Sequence, residues 1–183
     1  MDVSTDVVWL GRGGQGAVTA AMLLAQAAVS KGFYALAIPF FGAERRGAPV
    51  FAYNKISNRV IYSRSRVEQG DIVAVMDPSL LNIYSPEKLV KPGGTVVVNT
   101  TECTGGLGGL KTYVVDAVGI AESLGLKVAG FALVNMPMIG AVARVSGLVG
   151  EEEVLAAVKQ IIKAHVEKNV EAVKRGWESV RAC

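Results

Sequence analysis

A glycine-rich turn near the N-terminus constrains the fold of this chain more than any other feature. The turn follows an apolar run at residues 6–10 and leads into an alanine-rich segment, residues 15–31. Its Gly-x-Gly-x-x-Gly spacing lets a strand turn tightly into a helix, whose N-terminus attracts an anion. The sequence therefore predicts a strand, turn and helix at the start of an α/β domain. The six residues of the turn are Gly11, Arg12, Gly13, Gly14, Gln15 and Gly16.

Short apolar runs separated by turn residues predict further strands along the chain. The predicted strands are residues 6–10, 33–38, 50–56, 59–63, 72–76, 95–99 and 112–116. The pair 50–56 and 59–63 is separated only by Ser57 and Asn58, which predicts a β-hairpin.

The C-terminal third carries the pattern of helices. One helix is predicted from Asn135, with Asn135 as N-cap and Pro137 in the first turn, up to Gly147. Two more are predicted from Glu151 and around Val166. Strands that alternate with helices indicate an α/β fold. We expect one domain over residues 1–183, a Rossmann-like three-layer arrangement with a mostly parallel sheet, a β-hairpin insertion and a helical C-terminal third.

Composition excludes several classes of protein. The chain is 51% apolar, yet no run of about 18 purely apolar residues occurs, so no membrane span is predicted. The formal net charge is only +3 and no cluster of basic and aromatic residues occurs, so no nucleic-acid partner is predicted. The first residues lack the pattern of a signal peptide, which favours a cytoplasmic protein. So large an apolar share favours a big core together with a surface patch that partners cover.

The two cysteines, Cys103 and Cys183, lie far apart in the sequence. Because they lack Cys-x-x-Cys spacing, no zinc site, redox pair or iron–sulfur ligand set is predicted, and we expect both thiols to be reduced.

The glycine turn allows three interpretations. The first is a nicotinamide dinucleotide site. Such a site needs an acidic residue at the end of the second strand, and residues 35–41 contain none. A structural turn that lets strand and helix pack is the second interpretation. The third is a contact with a phosphate group or a partner, in which Arg12 and Gln15 would take part.

A second candidate site is the polar loop at residues 40–49. It contains Glu44, Arg45 and Arg46 between glycines. Arginine forks suit carboxylates and phosphates, so a substrate or cofactor tail is one interpretation. A solvated loop with a local salt bridge is an equal alternative.

No catalytic residue is predicted elsewhere. His165 is the only histidine, and its place near an apolar stripe favours a packed or partner-facing helix residue. Asp77 and Asp116 each end a strand, where sites of α/β proteins often lie, but helix capping is the expected role of both. Trp9 and Trp177 are expected in the core or at an interface. Metal-ligand spacing is absent.

Four segments taken together resemble the gamma subunit of the pyruvate/2-oxoacid:ferredoxin oxidoreductases. In chain order they read GRGGQGA at residues 11–17, FGAERRGAP at 41–49, NMPMIGA at 135–141 and RGWESV at 175–180. The likeness extends over nearly the whole chain.

The resemblance implies a role in a larger enzyme. In that family a 2-oxoacid is decarboxylated on thiamine diphosphate, coenzyme A takes the acyl group, and 4Fe-4S clusters pass electrons to ferredoxin. Thiamine diphosphate, Mg and the clusters lie in the alpha, beta and delta parts, so this chain alone would bind no cofactor. The loop with Arg45 and Arg46 is more similar to that of the pyruvate and branched-chain members than to that of the 2-oxoglutarate members. Alone, the chain is expected to be inactive and able to form a homodimer.

The same resemblance implies which residues face the partners or coenzyme A. They are the glycine turn, the loop residues Glu44, Arg45 and Arg46, and Asn135 with Met136. A stand-alone nucleotide-binding oxidoreductase and a non-enzymatic ligand-binding module are the alternatives.

Overall fold

A seven-stranded sheet forms the centre of the molecule in a computed structural model, which describes residues 2–40, 47–103 and 107–183. Its strands are β1 Ser4–Arg12, β2 Tyr34–Phe40, β3 Pro49–Ser57, β4 Gly70–Val75, β5 Val90–Asn99, β6 Lys111–Val115 and β9 Arg181–Ala182. Their order across the sheet is β2-β3-β1-β4-β5-β6-β9.

Most strands of this sheet run in one direction. Strands β1, β4, β5 and β6 are parallel neighbours. Strand β3 is antiparallel to both β1 and β2, so β2 runs in the same direction as β1. The short strand β9 is antiparallel to β6. The predicted mostly parallel sheet is confirmed.

The longer helices cover one face of the sheet. They are α1 Ala17–Ser30, α3 Ala117–Ser123, α4 Asn135–Ser146, α5 Glu151–Ile161 and α6 Val166–Ser179. Together with Trp9, Ala74 and Val97 of the sheet they enclose the larger apolar core, which we call the helix-side core. The predicted helical C-terminal third is confirmed. Among the described helices, none is both long and apolar enough to cross a bilayer.

The opposite face carries a thinner layer. It consists of a 3-10 turn, Pro78–Asn82, the short helix α2, Pro86–Leu89, and residues 58–69. A second apolar core lies beneath it, in which Val8, Val73 and Val96 take part. Alternate residues of each strand point to opposite faces, and this is why the two cores share the same strands.

The predicted pairing of residues 50–56 with 59–63 is wrong. Residues 50–56 do lie in a strand, β3, but it pairs with β1 on one side and β2 on the other. The antiparallel insertion is therefore the hairpin of β2 and β3. Residues 59–63 have strand-forming side chains, but they form no ladder with any described strand.

A small second hairpin lies outside the main sheet. Its strands are β7, Lys127–Val128, and β8, Phe131–Ala132. Ala129 and Gly130 form the turn between them with positive φ values of 49° and 86°, the conformation typical of a two-residue hairpin turn.

The start of α4 differs from the prediction. Val134 occupies the N-cap position, Asn135 is already helical, and no side chain caps the helix. The predicted place of Pro137 in the first turn is correct. Asn135 does not cap its own helix because its side chain packs against Gly16 of the glycine turn.

The expectation of two reduced, separate cysteines is also wrong. Cys103 and Cys183 form a disulfide, with their Cα atoms 5.3 Å apart and a separation of 80 positions in sequence. The pairing follows from topology. Strand β9 adds to β6, the amide of Cys183 donates to the carbonyl of Thr112, and Arg181 donates to the carbonyl of Thr101. These contacts place the C-terminus beside the loop that follows β5.

Candidate functional site at the glycine turn

The glycine turn connects β1 to α1 through two left-handed residues. Gly14 and Gly16 have φ values of 95° and 85°, which residues with a Cβ rarely adopt. The side-chain oxygen of Gln15 accepts a hydrogen bond from the Arg12 amide at 2.7 Å, and the Gln15 amide donates to the Arg12 carbonyl at 3.0 Å. Gln15 therefore closes the turn, and its amide oxygen faces inward.

Backbone hydrogen bonds join the turn to the chain that enters β3. The Gly13 amide donates to the carbonyl of Ala48 at 2.9 Å, and the Gly47 amide donates to the carbonyl of Gly13 at 3.3 Å. The end of the second candidate loop is thereby fixed next to the glycine turn.

Arg12 links three segments of the chain. Its Nε donates to Asp77 Oδ2 at 2.8 Å, one terminal nitrogen donates to the Gly47 carbonyl at 2.9 Å, and the other donates to Ser79 Oγ at 2.8 Å. Its side chain retains 31% exposure. All three nitrogens of the guanidinium are engaged, so Arg12 holds the site together and supplies positive charge at its edge.

Asp77 is the acidic partner of Arg12. It also accepts hydrogen bonds from the Ser79 amide and hydroxyl, at 2.9 Å and 2.6 Å. Burial alone would raise the pKa of Asp77, but the hydrogen bonds from Ser79 and Arg12 together lower it. Asp77 is therefore a fixed anion at neutral pH. The predicted capping role is confirmed here, and for Asp116, which accepts from the Gly119 amide at 2.8 Å.

A cavity of about 310 Å³ opens beside the turn. Its lining comprises Arg12, Gly13, Gly14, Gln15, Gly47, Asp77, Val128 and Phe131. The last two come from the β7–β8 hairpin and are 48% and 67% exposed. The cavity thus has a polar floor, at the N-terminus of α1, and an apolar wall.

Asn135 lies behind the turn. It is only 3% exposed, and a Cβ on Gly16 would overlap its amide nitrogen and lie 2.8 Å from its Cγ. Its Oδ1 is buried and has no hydrogen-bond partner among the described residues. The structure thus brings together two of the predicted segments, at the start of α1 and the start of α4. Met136 is buried in the helix-side core and reaches neither the cavity nor the surface.

The predicted site residues Glu44, Arg45 and Arg46 lie outside the described residues. The chain is described again from Gly47, which lines the cavity.

Sequence reasoning missed Ser79, Val128 and Phe131, and it assigned Asp77 a capping role without its contact to Arg12. Ser79 and Asp77 hold Arg12 from a position more than 60 residues away in sequence, and no local pattern predicts that pairing. Val128 and Phe131 flank Ala129-Gly130, a weak hairpin signal between apolar residues. The sequence analysis did not single out this signal, which in any case does not indicate that the hairpin lies over the glycines.

The site does not have the form of a nicotinamide site. In a dinucleotide-binding fold the second parallel strand lies beside the first and ends in an acidic residue. Here β3 lies between β1 and β2, so the end of β2 is displaced to about 10 Å from β1, since neighbouring strands are about 4.8 Å apart. The acid missing from the sequence is not replaced by any described residue of the cavity lining, where the one carboxylate, Asp77, is bonded to Arg12.

The described residues offer no ligand set for a metal ion or an iron–sulfur cluster. The only two cysteines form the disulfide. No group of three or more His, Cys, Asp and Glu side chains in the described ranges is arranged to hold a metal ion. His165 is exposed at the start of α6. The described lining of the cavity includes no Ser, Cys, Lys or His.

Fold and site together define an α/β fold with a cavity at the carboxyl edge of a mostly parallel sheet. The family model described as pyruvate ferredoxin/flavodoxin oxidoreductase matches residues 6–179. This chain belongs to that family.

Individual relatives confirm the resemblance to gamma subunits. The chain is 45% identical to pyruvate synthase subunit PorC of Methanocaldococcus jannaschii, over 93% of each sequence. It is 42% identical to the common subunit gamma of the pyruvate/ketoisovalerate oxidoreductases of Thermococcus kodakarensis, over 91% of this chain and 92% of that one. The crystal structure of pyruvate oxidoreductase subunit PORC from Thermotoga maritima matches with a TM-score of 0.82, at 32% identity and 98% coverage of both chains.

Proposed function

We propose that this chain is the gamma subunit of a multi-subunit 2-oxoacid:ferredoxin oxidoreductase. The enzyme would convert a 2-oxoacid, coenzyme A and oxidised ferredoxin to acyl-CoA, CO2 and reduced ferredoxin. The observation that carries the proposal is the 45% identity, over 93% of both lengths, to a pyruvate synthase subunit. The partners would be the alpha, beta and delta subunits, with ferredoxin reached through the complex in the cytoplasm.

We further propose that the chain is inactive alone. The cavity at the glycine turn is lined by backbone, by two apolar side chains and by an Arg12–Asp77 pair whose atoms are already bonded to each other. Such a lining can hold a ligand or shape its path, but it contains no nucleophile with a base beside it. Chemistry would therefore take place in the partner subunits.

The role proposed for the site is to form one wall of the entrance for coenzyme A. The amides at the start of α1 suit a phosphate group, and the wall of Val128 and Phe131 suits an apolar chain. Two arginines, Arg45 and Arg46, directly precede Gly47 of the cavity lining, and arginine forks suit phosphates. Asn135 would position the turn from behind.

Charge reversal in the second candidate loop tests this role. In the assembled enzyme we expect the double variant Arg45→Glu, Arg46→Glu to raise KM for coenzyme A about tenfold or more, or to disrupt assembly. The magnitude follows because a hydrogen bond to a charged group contributes about 1.5–3 kcal/mol, and about 1.4 kcal/mol corresponds to a factor of ten. The measurement is steady-state kinetics with coenzyme A as the varied substrate.

A matched control reverses two charges on residues outside the cavity lining. Lys159 and Lys163 are exposed, on α5 and just beyond its end, so the variant Lys159→Glu, Lys163→Glu should leave KM and assembly unchanged. Unchanged kinetics and an intact complex in the arginine variant would remove the loop from the site.

A further inference from the structure

Residues 58–66, which we call the arm, cross the less covered face of the molecule. No helix, strand or turn is formed from Val60 to Arg66. The side chains of Val60, Ile61 and Tyr62 favour strands, and yet no described strand pairs with them. The arm thus has the sequence of a strand and lacks a strand neighbour.

The arm is exposed along nearly its whole length. Tyr62 is 90% exposed and Val60 is 49% exposed. In the described part of the chain, the amides of residues 60–64 have no hydrogen-bond partner, whereas those of Arg59 and Ser65 donate to nearby serine hydroxyls. An exposed row of unpaired backbone groups is a template for pairing with another chain.

An aromatic groove continues from the end of the arm. Its volume is about 490 Å³, and its lining comprises Phe40, Phe51, Tyr53, Arg66, Val67, Glu68, Tyr84 and Leu89. The rings of Phe51 and Tyr84 meet edge to face with centroids 5.0 Å apart. Because Arg66 belongs to both, the arm and the groove form one continuous surface.

The charge of the arm indicates what covers it. Arg59, Arg64 and Arg66 are its charged residues, and no acid lies within it. Arg59 is paired with Asp2 in an exposed ion pair, but Arg64 and Arg66 have no ion pair within the described ranges. A second copy is a poor occupant: two arms paired antiparallel about Ile61 and Tyr62 would place Arg59 opposite Arg64, and like charges in that position repel.

We propose that the arm docks an extended, acidic segment of another subunit of the same enzyme. Backbone hydrogen bonds to residues 60–64 would add that segment as a strand. Its carboxylates would pair with Arg64 and Arg66, and an apolar side chain would enter the aromatic groove. The inference rests on the proposed function as a subunit and names the kind of partner surface for this face.

Variants of the arm in the co-expressed complex test the proposal. Tyr62→Ser combined with Arg64→Glu removes an exposed ring and reverses a charge, with no described contact of either side chain lost inside the subunit. We expect dissociation of this chain from the purified alpha, beta and delta subunits to become at least tenfold more favourable, measured by titration in analytical ultracentrifugation. A paired control, Val118→Ser with Lys174→Glu on exposed positions of α3 and α6, should leave it unchanged.

Hydrogen exchange gives a second measurement. In the wild-type complex the amides of residues 60–64 should exchange at least tenfold more slowly than in the isolated chain. The wild-type complex could assemble without slower exchange of these amides, while the arm variant binds the other subunits as tightly as the wild type does. That result would overturn the docking proposal and leave the proposed function intact. Failure of the wild-type chain to assemble would instead contradict the proposed function. Protection that appears in a homodimer of this chain alone would also overturn the proposal.

Discussion

The variant Gly176→Ala should unfold about 6–12 °C below the wild-type protein. Gly176 lies in α6, where it crosses α4, and a Cβ at this position would overlap the carbonyl oxygen of Pro137 and lie 2.7 Å from its Cα. The contact is reciprocal, because a Cβ at Gly140 would overlap the carbonyl oxygen of Val173. Both glycines let the two helix backbones touch, so an added methyl group has to push the helices apart.

The direction of this effect distinguishes the contact from helix propensity. Alanine in place of glycine would stabilise an exposed helix by about 1 kcal/mol. Overpacking a core costs about 1–3 kcal/mol, occasionally more, and backbone atoms give way less readily than side chains. Because the overlap here is with backbone atoms, we expect a cost at the upper end, about 4 kcal/mol. Less the gain in helix propensity, the net loss is about 3 kcal/mol, which corresponds to the stated shift at about 2–4 °C per kcal/mol for a chain of this size.

Thermal unfolding followed by circular dichroism measures the shift. Lys174→Ala, on the exposed side of the same helix, serves as the control and should change Tm by less than about 2 °C, since surface substitutions stay within about 0.5 kcal/mol. A Gly176→Ala protein as stable as the wild type would contradict the close contact of α4 and α6.

Loss of the disulfide should have an effect of comparable or larger size. Cys103 and Cys183 are separated by 80 residues. For a loop of that length, the chain-entropy model gives about 4.5 kcal/mol of stabilisation through restriction of the unfolded chain. Replacing both cysteines by serine should therefore lower Tm by about 9–18 °C. The C-terminal strand β9 should fray first, because it has only two residues and pairs with β6 alone.

Reduction gives a test that needs no substitution. Dithiothreitol should lower Tm of the oxidised wild-type protein to that of the Cys103→Ser, Cys183→Ser variant, and it should not affect the variant. If dithiothreitol leaves the wild-type Tm unchanged and mass spectrometry finds two free thiols before treatment, the disulfide is absent.

The local sequence pattern predicted the strands that are buried on both faces of the sheet. The buried strands β1, β4, β5 and β6 appear in the sequence as short apolar runs because both faces of the sheet are covered. The glycine turn was predictable because the strand, the glycines and the helix are consecutive in the chain. The start of α5 is marked by local sequence as well, because three glutamates follow Gly150.

The errors share a different cause, namely contacts between distant segments. Residues 59–63 have the composition of a strand, but a strand exists only where a neighbour pairs with it. Asn135 is a residue type that often caps helices, but its side chain packs against Gly16 instead. The pairing of Cys103 with Cys183 depends on β9 reaching the edge of the sheet, which spacing between cysteines does not encode.

The candidate site was predicted only in part, because it too depends on contacts between distant segments. The glycines and Asn135 were identified, and the structure places them together. The contact of Arg12 with an anion or a partner, one of three interpretations of the turn, stays a prediction, and its guanidinium is held by Asp77, Ser79 and Gly47. The glycine turn thus forms one wall of a cavity and is held in place by the contacts of Arg12. The apolar side of the cavity comes from the β7–β8 hairpin, which the sequence pattern did not single out.

Reconstitution tests the central claim most directly. The purified chain would be assayed alone, then with its alpha, beta and delta subunits, and the subunits would be assayed without it. The readout is ferredoxin reduction that depends on both a 2-oxoacid and coenzyme A. We predict no reduction by the chain alone, and a stoichiometric complex whose activity is lost when this chain is left out. Turnover by the isolated chain, or full activity of the other subunits without it, would contradict the account.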